Sequence, residues 1–230
     1  MAEPMLDADE LLASPLVANA TMNRGRGLSG VNSYERDLRF APLPFLAARA
    51  EARGEALWYD ACCGQGRALA EAGRQIDAAG WGSKVRLVGA DLAGMFVSPL
   101  PPRVQFVQAD AVAYSLGARA DLITCVHGLH YLGDKLAFLQ NAYAQLAPGG
   151  LFLGSLDAAN VCGPGGAPIF ARLARRARRG GVRLELKGQV LHLERTGALL
   201  DFRAVYRGAA ASARPHASGI TVIESWYDVR

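Results

Sequence analysis

The 230-residue chain is 51% apolar and carries a formal net charge of +4, which predicts one domain with a full hydrophobic core. This mild positive charge is too small to demand nucleic acid or an anionic membrane as a partner. The four cysteines lack zinc-ligand spacing, so we expect reduced thiols and no metal site. No apolar run approaches the ~18 residues of a membrane span. No signal-peptide pattern opens the sequence either, so the expected location is the cytoplasm.

The N-terminal part of the chain contains a helical pattern and then a glycine-rich segment. Leucines at helical spacing predict a helix over residues 6–20. Glycines and polar residues dominate residues 22–40, a composition typical of a solvated linker. Because proline is tolerated in a first helical turn, Pro42 and Pro44 indicate the start of a helix over residues 45–53.

The centre of the chain begins with an apolar strand, Leu57–Tyr59, followed by a carboxylate, small residues, two glycines and a helix over residues 67–79. Strand, glycine-rich turn and helix form the nucleotide-binding arrangement of doubly wound sheets. Three more apolar strands also end in polar groups: residues 84–90 before Asp91, 103–109 before Asp110, and 120–126 before His127. Four such strands in succession predict a ligand site at the carboxyl edge of a parallel sheet.

The remaining elements continue this alternation and then change character. Asp134 is expected to cap a helix over residues 135–146, and a fifth strand is expected over residues 151–156. An amphipathic helix over residues 169–179 turns its arginines outward. The last strands are separated by glycine-containing turns: residues 182–187, 190–195, 198–206 and 220–229. The pattern predicts an α/β fold with a doubly wound, mostly parallel sheet and antiparallel C-terminal strands.

Over about residues 55–157 the sequence resembles the class I S-adenosylmethionine-dependent methyltransferases. Residues 60–67 are similar to their first motif, with a cysteine in place of its first glycine. Later segments resemble the second, third and fourth motifs and the turn before the fifth strand: Val88–Leu92, Gln108–Ala111, Asp121–His127 and Leu146–Phe152. The resemblance implies a Rossmann-like seven-stranded sheet and S-adenosylmethionine as the cofactor. It also divides the chain into an N-terminal helix and lid segment, residues 1–44, and a cofactor-binding domain, residues 45–230.

The glycine-rich turn alone would also suit a dinucleotide-binding enzyme. Such a site needs Gly-x-Gly-x-x-Gly/Ala so that a pyrophosphate can sit on the helix N-terminus. Counting from Gly64, the third position holds Leu69. The carboxylate of Asp60 at the mouth of the turn would repel a pyrophosphate, whereas S-adenosylmethionine carries an ammonium and a sulfonium. These residues favour the methyltransferase interpretation.

The resemblance implies one set of cofactor-binding residues: Tyr34, Asp60, Ala61, Cys62, Gly64, Asp91, Leu92, Asp110, Ala111 and Val126. Within this set Asp91 would accept hydrogen bonds from the ribose hydroxyls, Asp110 from the adenine amino group, and Asp60 would face the methionine ammonium. Methyltransferases of this class commonly cover the cofactor with N-terminal residues. Residues 22–40 therefore become a candidate lid, with Tyr34 as its contact, beside the linker interpretation.

The expected reaction is methylation of a small-molecule acceptor of secondary-metabolite type, through oxygen, nitrogen or carbon. His127 is the first titratable side chain beyond the fourth strand and is a candidate general base, since its unperturbed pKa lies near neutrality. Its alternative role is that of a pocket-lining residue. We expect His130 to serve packing or capping, and Cys62 to be a small turn residue rather than a nucleophile.

Two alternative functions stay open. The basic helix over residues 169–179 could steer an RNA or protein substrate, although it has no interleaved aromatic residues. The chain also has no Asn/Asp-Pro-Pro-Tyr-type sequence after the fourth strand, which base and amide-nitrogen methyltransferases often carry. The second alternative is a ligand-binding relative that keeps the fold without turnover. A small-molecule acceptor without nucleic-acid or membrane partners is the favoured interpretation.

Overall fold

The structure is a computed structural model that describes residues 5–7, 9–10, 25–213 and 221–230. The main sheet contains β1 (Ala56–Ala61), β2 (Val85–Asp91), β3 (Val104–Gln108), β4 (Ala120–Cys125), β5 (Leu146–Ser155), β7 (Arg183–Lys187) and β8 (Val190–Glu194). A smaller sheet contains β6 (Val161–Cys162), β9 (Ala204–Ala211) and β10 (Ile223–Val229). The helices are α1 (Tyr34–Leu38), α2 (Pro42–Arg53), α3 (Arg67–Ala78), α4 (Lys135–Gln145) and α5 (Phe170–Arg179).

The main sheet is wound in two directions from its centre. Its strand order is β3-β2-β1-β4-β5-β8-β7, and strands β1 to β5 are parallel to one another. Strand β8 runs antiparallel to both of its neighbours, β5 and β7. The chain moves outward from β1 to β3 and then returns to β4 on the other side of β1. This reversal opens a crevice at the carboxyl ends of β1 and β4 and confirms the predicted doubly wound sheet.

Helices cover both faces of the sheet, and its central strands are accordingly apolar. All six residues of β1 and all six of β4 are buried, as parallel strands between two helical layers require. On one face Trp58 packs in a cluster with residues of α2 and α3. On the other face Tyr59 packs in a cluster with residues of α4 and α5. This two-sided core fixes the ends of β1 and β4 at the crevice.

The strand predicted over residues 198–206 is wrong in its position, because only the last three residues of that range belong to β9. Leu200 and Phe202 are buried and alternate as they would in a strand. However, the Phe202 amide donates to the side chain of Gln140 at 2.9 Å rather than to a neighbouring strand. Arg203 then adopts a left-handed φ of 49°, which ends the extended segment.

The described N-terminal residues join the smaller sheet. Leu6 forms an antiparallel bridge with Ala209, through backbone hydrogen bonds of 2.7 and 3.0 Å. The helix predicted over residues 6–20 is wrong at its start, because Leu6 lies in this bridge and residue 7 is not helical. Residues 9–10 are helical, and residues 8 and 11–20 lie outside the described residues. Helix α2 begins at Pro42, three residues earlier than predicted. Within the described ranges, no helix is long and apolar enough to cross a membrane.

Candidate cofactor and active site

In the turn between β1 and α3, every second residue has a left-handed backbone conformation with a positive φ. Cys62 has a φ of 56°, Gly64 of 59° and Gly66 of 72°. Cys62 thus occupies a conformation that glycine adopts without steric cost and that other residues rarely adopt. At Gly66 a Cβ atom would lie 2.0 Å from the Phe106 ring, so this position admits only glycine. The turn therefore brings bare backbone to the carboxyl edge of the sheet.

Asp91 connects the end of β2 to this turn. One carboxylate oxygen accepts from the backbone amide of Gly64 at 2.9 Å, and the other accepts from that of Ala93 at 3.0 Å. Two large apolar side chains stand exposed beside it, Leu92 at 36% and Met95 at 53%. A partly exposed carboxylate next to exposed apolar surface suits a ligand that combines a hydroxylated sugar with a flat base.

Asp110 lies on the adjoining loop after β3. Its carboxylate accepts from the backbone amide of Val112 at 3.0 Å, which closes a local turn. Ala111 beside it is buried. The amide of Ala109 donates to the Asp91 carbonyl at 3.2 Å, so the ends of β2 and β3 are held together. The structure therefore brings the predicted residues of β1, β2 and β3 to one edge.

Asp60, at the end of β1, is completely buried in a polar network. Its two oxygens accept from the Tyr34 hydroxyl at 2.7 Å and the Thr124 hydroxyl at 2.5 Å. The indole N–H of Trp58 in turn donates to the Thr124 oxygen at 2.8 Å. Burial raises the pKa of Asp60 to about 7, although both hydrogen bonds favour the ionised form. Asp60 therefore changes its charge near neutral pH.

Tyr34 and Asp60, both predicted to meet the cofactor, are in fact bonded to each other in this structure. No local sequence signal indicates this pairing or the contributions of Trp58 and Thr124. Tyr34 is 3% exposed, and desolvation by burial raises its pKa well above the usual value. The network fixes α1 to the end of β1. A contact of Asp60 with the methionine ammonium stays a prediction.

His127 lies two residues beyond β4, which ends at Cys125 rather than at the predicted Val126. A left-handed φ of 60° at His127 directs the chain into a short 3-10 helix, Gly128–His130. The Nε2 atom of His127 lies 3.2 Å from a carboxylate oxygen of Asp37 on α1. The tautomer with the proton on Nε2 donates to Asp37 and leaves Nδ1 as an acceptor.

Asp37 is held between Arg26 and His127. Besides His127 it pairs with Arg26, whose Nε atom lies 3.1 Å from the same oxygen. Burial acts to raise the pKa of Asp37, but the hydrogen bond with His127 and the charge of Arg26 outweigh it and lower the pKa below its usual value. An ionised Asp37 orients the His127 ring through this contact. The ring of His130, which is buried, lies 5.6 Å from that of His127, in agreement with the packing role predicted for it.

Residues 25–40, which we call the cap segment, cover this edge of the sheet. Leu28 and Leu38 are fully buried in the same apolar cluster as α2 and α3. The backbone amide of Leu28 donates to the Glu71 carboxylate of α3 at 2.7 Å. The described part of residues 22–40 is therefore packed against the domain rather than extended into solvent.

The four cysteines are free thiols with no catalytic arrangement. The pKa of Cys62 is raised chiefly by its hydrogen bond with Cys125 and secondly by burial. Burial also raises the pKa of Cys63. A raised thiol pKa suppresses the nucleophilic thiolate. The prediction that Cys62 is a turn residue rather than a nucleophile is consistent with this chemistry.

The strand order, the crevice between β1 and β4, and the glycine turn beside Asp91 define a Rossmann-like domain with a nucleoside site. A family of proteins described as "Methyltransferase domain" matches residues 32–200 of the chain. The chain belongs to this family, and so to the class I S-adenosylmethionine-dependent methyltransferases, a family that uses S-adenosylmethionine as its cofactor. A search of curated proteins finds no match to the sequence.

Several solved structures are similar to this chain. StiE O-MT (residues 961–1257) is 18% identical, with 63% of this chain and 53% of that chain covered and a TM-score of 0.44. The plantazolicin methyltransferase BpumL in complex with SAH is 16% identical, with 64% and 55% covered and a TM-score of 0.43. Magnesium protoporphyrin IX methyltransferase (ChlM) from Synechocystis PCC 6803 with bound SAM is 14% identical, with 82% and 95% covered and a TM-score of 0.46. The chain spans about half the length of the first of these structures.

Proposed function

We propose that the protein methylates a small-molecule acceptor of secondary-metabolite type, on an oxygen, nitrogen or carbon atom. The observation that carries the methyl-transfer part of this proposal is the carboxylate of Asp91. It accepts a hydrogen bond from the Gly64 amide and adjoins the exposed Leu92 side chain, as a site for the cofactor requires. The cap segment supports a small acceptor, because it packs over the same edge through Leu28 and Leu38 and restricts access there.

The bare backbone of the turn and the neighbouring acids fit S-adenosylmethionine. Asp91 would accept from the ribose hydroxyls, and Asp110 from the adenine amino group. Leu92, Ala111 and Val126 would supply apolar contacts, and Ala61, Cys62 and Gly64 would pass along the methionine part. Tyr34 and Asp60 would approach the ammonium after a local rearrangement of their hydrogen bond.

When bound, S-adenosylmethionine supplies a methyl group on a sulfonium centre, so the protein contributes chiefly position. His127 lies just beyond β4, where an acceptor would meet the methyl group. For a hydroxyl acceptor, its Nδ1 atom would take the proton while Asp37 holds the opposite side of the ring. An acceptor that carries no acidic proton would use the same pocket without a base.

Thermal unfolding with a panel of S-adenosylmethionine, S-adenosylhomocysteine, NAD and NADP tests the cofactor site. A ligand at 100 times its dissociation constant stabilises by ~2.7 kcal/mol, which raises Tm by several degrees. Asp91→Ala removes charge-assisted hydrogen bonds worth ~1.5–3 kcal/mol, so S-adenosylhomocysteine should bind about tenfold or more weakly. Glu51→Ala, at an exposed acid of α2, is the matched control. An unchanged dissociation constant in Asp91→Ala would contradict the ribose role.

The class of acceptor is tested with radiolabelled S-adenosylmethionine and a cell extract split by ultrafiltration into small molecules and macromolecules. We expect enzyme-dependent label only in products of the small-molecule fraction. Label incorporated into RNA or protein would favour a macromolecular substrate. Binding of the cofactor without transfer to either fraction would favour a non-catalytic relative.

A further inference from the structure

Four arginines share one face of α5, away from the glycine turn and its acids. Their spacing of three and four residues aligns them along the helix: Arg172, Arg175, Arg176 and Arg179. With Leu173, Val229 and Arg230 they line a groove of about 540 Å³, here called the arginine groove. This volume lies in the range of small-ligand sites, whereas a merely solvated helix face is convex.

No acidic side chain of the described residues lines the arginine groove. None of its four helix arginines belongs to an ion pair within the described part of the chain. Asp228, next to the groove residue Val229, is already paired with Arg207. Like charges at these spacings destabilise a helix, and Arg172 lies in the first turn, where the helix dipole disfavours a cation. A bound anion would relieve both effects.

The groove also has a fixed wall and movable donors. The Arg176 guanidinium donates to the backbone carbonyl of Arg230 at 2.8 Å, which ties the end of β10 to the helix. Arg172, Arg175 and Arg179 are exposed, so their guanidinium groups are free to turn toward a ligand. Guanidinium groups recognise phosphate through two parallel hydrogen bonds.

The length of the groove distinguishes the ligand. Arg172 and Arg179 are seven residues apart, so their Cα atoms are about 10 Å apart along the axis. Four guanidinium groups spread over this length match several linked phosphates better than a single phosphate, because linked phosphates place negative charge along the whole row. Among the described residues, no aromatic side chain lines the groove, although aromatic stacking is usual where single-stranded nucleic acid binds.

We propose that the arginine groove is a second binding site, for a small anion that carries two or more linked phosphates. Tripolyphosphate and pyrophosphate are the probes, and isothermal titration calorimetry at 0.15 M salt is the measurement. We expect one tripolyphosphate per chain, with pyrophosphate binding more weakly and inorganic phosphate at least tenfold more weakly. Because each charge-assisted bond corresponds to about a tenfold or greater change in affinity, Arg172→Gln/Arg175→Gln should weaken tripolyphosphate binding at least a hundredfold.

Matched variants distinguish a specific binding site from nonspecific electrostatic attraction to the basic helix. Arg178→Gln removes one charge from the same helix outside the groove and should leave tripolyphosphate affinity within threefold. Arg172→Lys/Arg175→Lys keeps the charge but loses the two-pronged geometry, so binding should weaken at least fivefold. Unchanged S-adenosylhomocysteine binding shows that each variant is folded.

Several results would overturn the site. The site would be refuted if inorganic phosphate and tripolyphosphate bound with equal affinity, or if Arg172→Lys/Arg175→Lys bound tripolyphosphate as tightly as the wild type. It would also be refuted if Arg178→Gln lost as much tripolyphosphate affinity as Arg172→Gln/Arg175→Gln. Tighter binding of a single-stranded RNA 16-mer than of tripolyphosphate, lost in Arg172→Gln/Arg175→Gln, would replace it with a nucleic-acid surface.

Discussion

Removing the Tyr34 hydroxyl should destabilise the protein in a pH-dependent manner. In Tyr34→Phe the buried carboxylate of Asp60 loses one of its two side-chain donors, at 2.7 Å. A hydrogen bond to a charged group contributes ~1.5–3 kcal/mol, whereas one between neutral groups contributes ~0.5–1.5 kcal/mol. Because the pKa of Asp60 is about 7, the loss should reach ~1.5–3 kcal/mol at pH 8.5 and about 1 kcal/mol or less at pH 5.5.

The sign of the underlying pH dependence follows from the raised pKa of Asp60. Its unfolded pKa is ~3.9, and its folded pKa is about 7. Between these two pH values the folded protein therefore binds more protons than the unfolded protein. Stability contributed by this group is fully present below pH ~4 and falls by about 4 kcal/mol as the pH rises to 7 and above. Asp60→Asn should flatten this part of the curve, and in that background Tyr34→Phe should cost the same at pH 5.5 and 8.5.

Urea denaturation at the two pH values measures these differences, with Tyr59→Phe as the matched control. The Tyr59 hydroxyl is also buried, but it has no hydrogen-bond partner among the described residues. Its removal should therefore be neutral or stabilising. An equal cost of Tyr34→Phe at both pH values, or a comparable cost of Tyr59→Phe, would refute the charged hydrogen bond.

Three other substitutions follow from single contacts. Asp37→Asn should lower turnover, because a neutral partner holds the His127 ring less firmly in the orientation that leaves Nδ1 as the proton acceptor; unchanged S-adenosylhomocysteine affinity checks that the fold is intact. Lys135, buried and bonded to two carbonyls and Ser225, has its pKa lowered by desolvation to about 7. Stability should thus rise between pH 7 and ~10, and Lys135→Met should remove that rise in urea titrations. Gly66→Ala should destabilise by ~3 kcal/mol or more through its clash with Phe106, whereas Gly80→Ala, at a similar φ of 78° in open space, should cost only ~1–2 kcal/mol.

The elements that were predictable from sequence are those with local signals. Strand β1 is a continuous apolar run, and the capping of α4 by Asp134 depends on residues three positions apart. The acids after β2 and β3 were found for the same reason, since a parallel strand exposes its last residues at one edge. Such features follow from periodicity and turn chemistry within a short window.

The missed features depend on contacts between distant segments. Tyr34 and Asp60 are 26 positions apart, and Asp37 and His127 are 90 apart. A tyrosine in a glycine-rich segment has no local property that identifies a buried carboxylate as its partner. The separation of the last strands into a smaller sheet is not predictable from the sequence either, since its two-residue strand β6 is too short for any periodicity.

The cap segment is fastened to the functional edge at three points, and this arrangement predicts how it responds to the cofactor. Leu28 is bonded to Glu71, Tyr34 to Asp60, and Asp37 to His127. Opening the cap breaks these contacts and exposes Leu28 and Leu38, but the strand pairing of the main sheet is kept, so it should cost less than global unfolding. A cofactor that binds only beneath the closed cap then adds its own binding free energy to the cost of opening.

Hydrogen exchange followed by mass spectrometry should accordingly show faster exchange in residues 25–40 than in β1 or β4. S-adenosylhomocysteine should slow exchange in the cap segment at least tenfold when its concentration is 100 times the dissociation constant. Glu71→Gln, which weakens one fastening outside the cofactor contacts, should speed exchange in the free protein. Equal protection of residues 25–40 with and without S-adenosylhomocysteine would mean that cap and cofactor are independent. The segment would then serve as a fixed N-terminal layer of the domain.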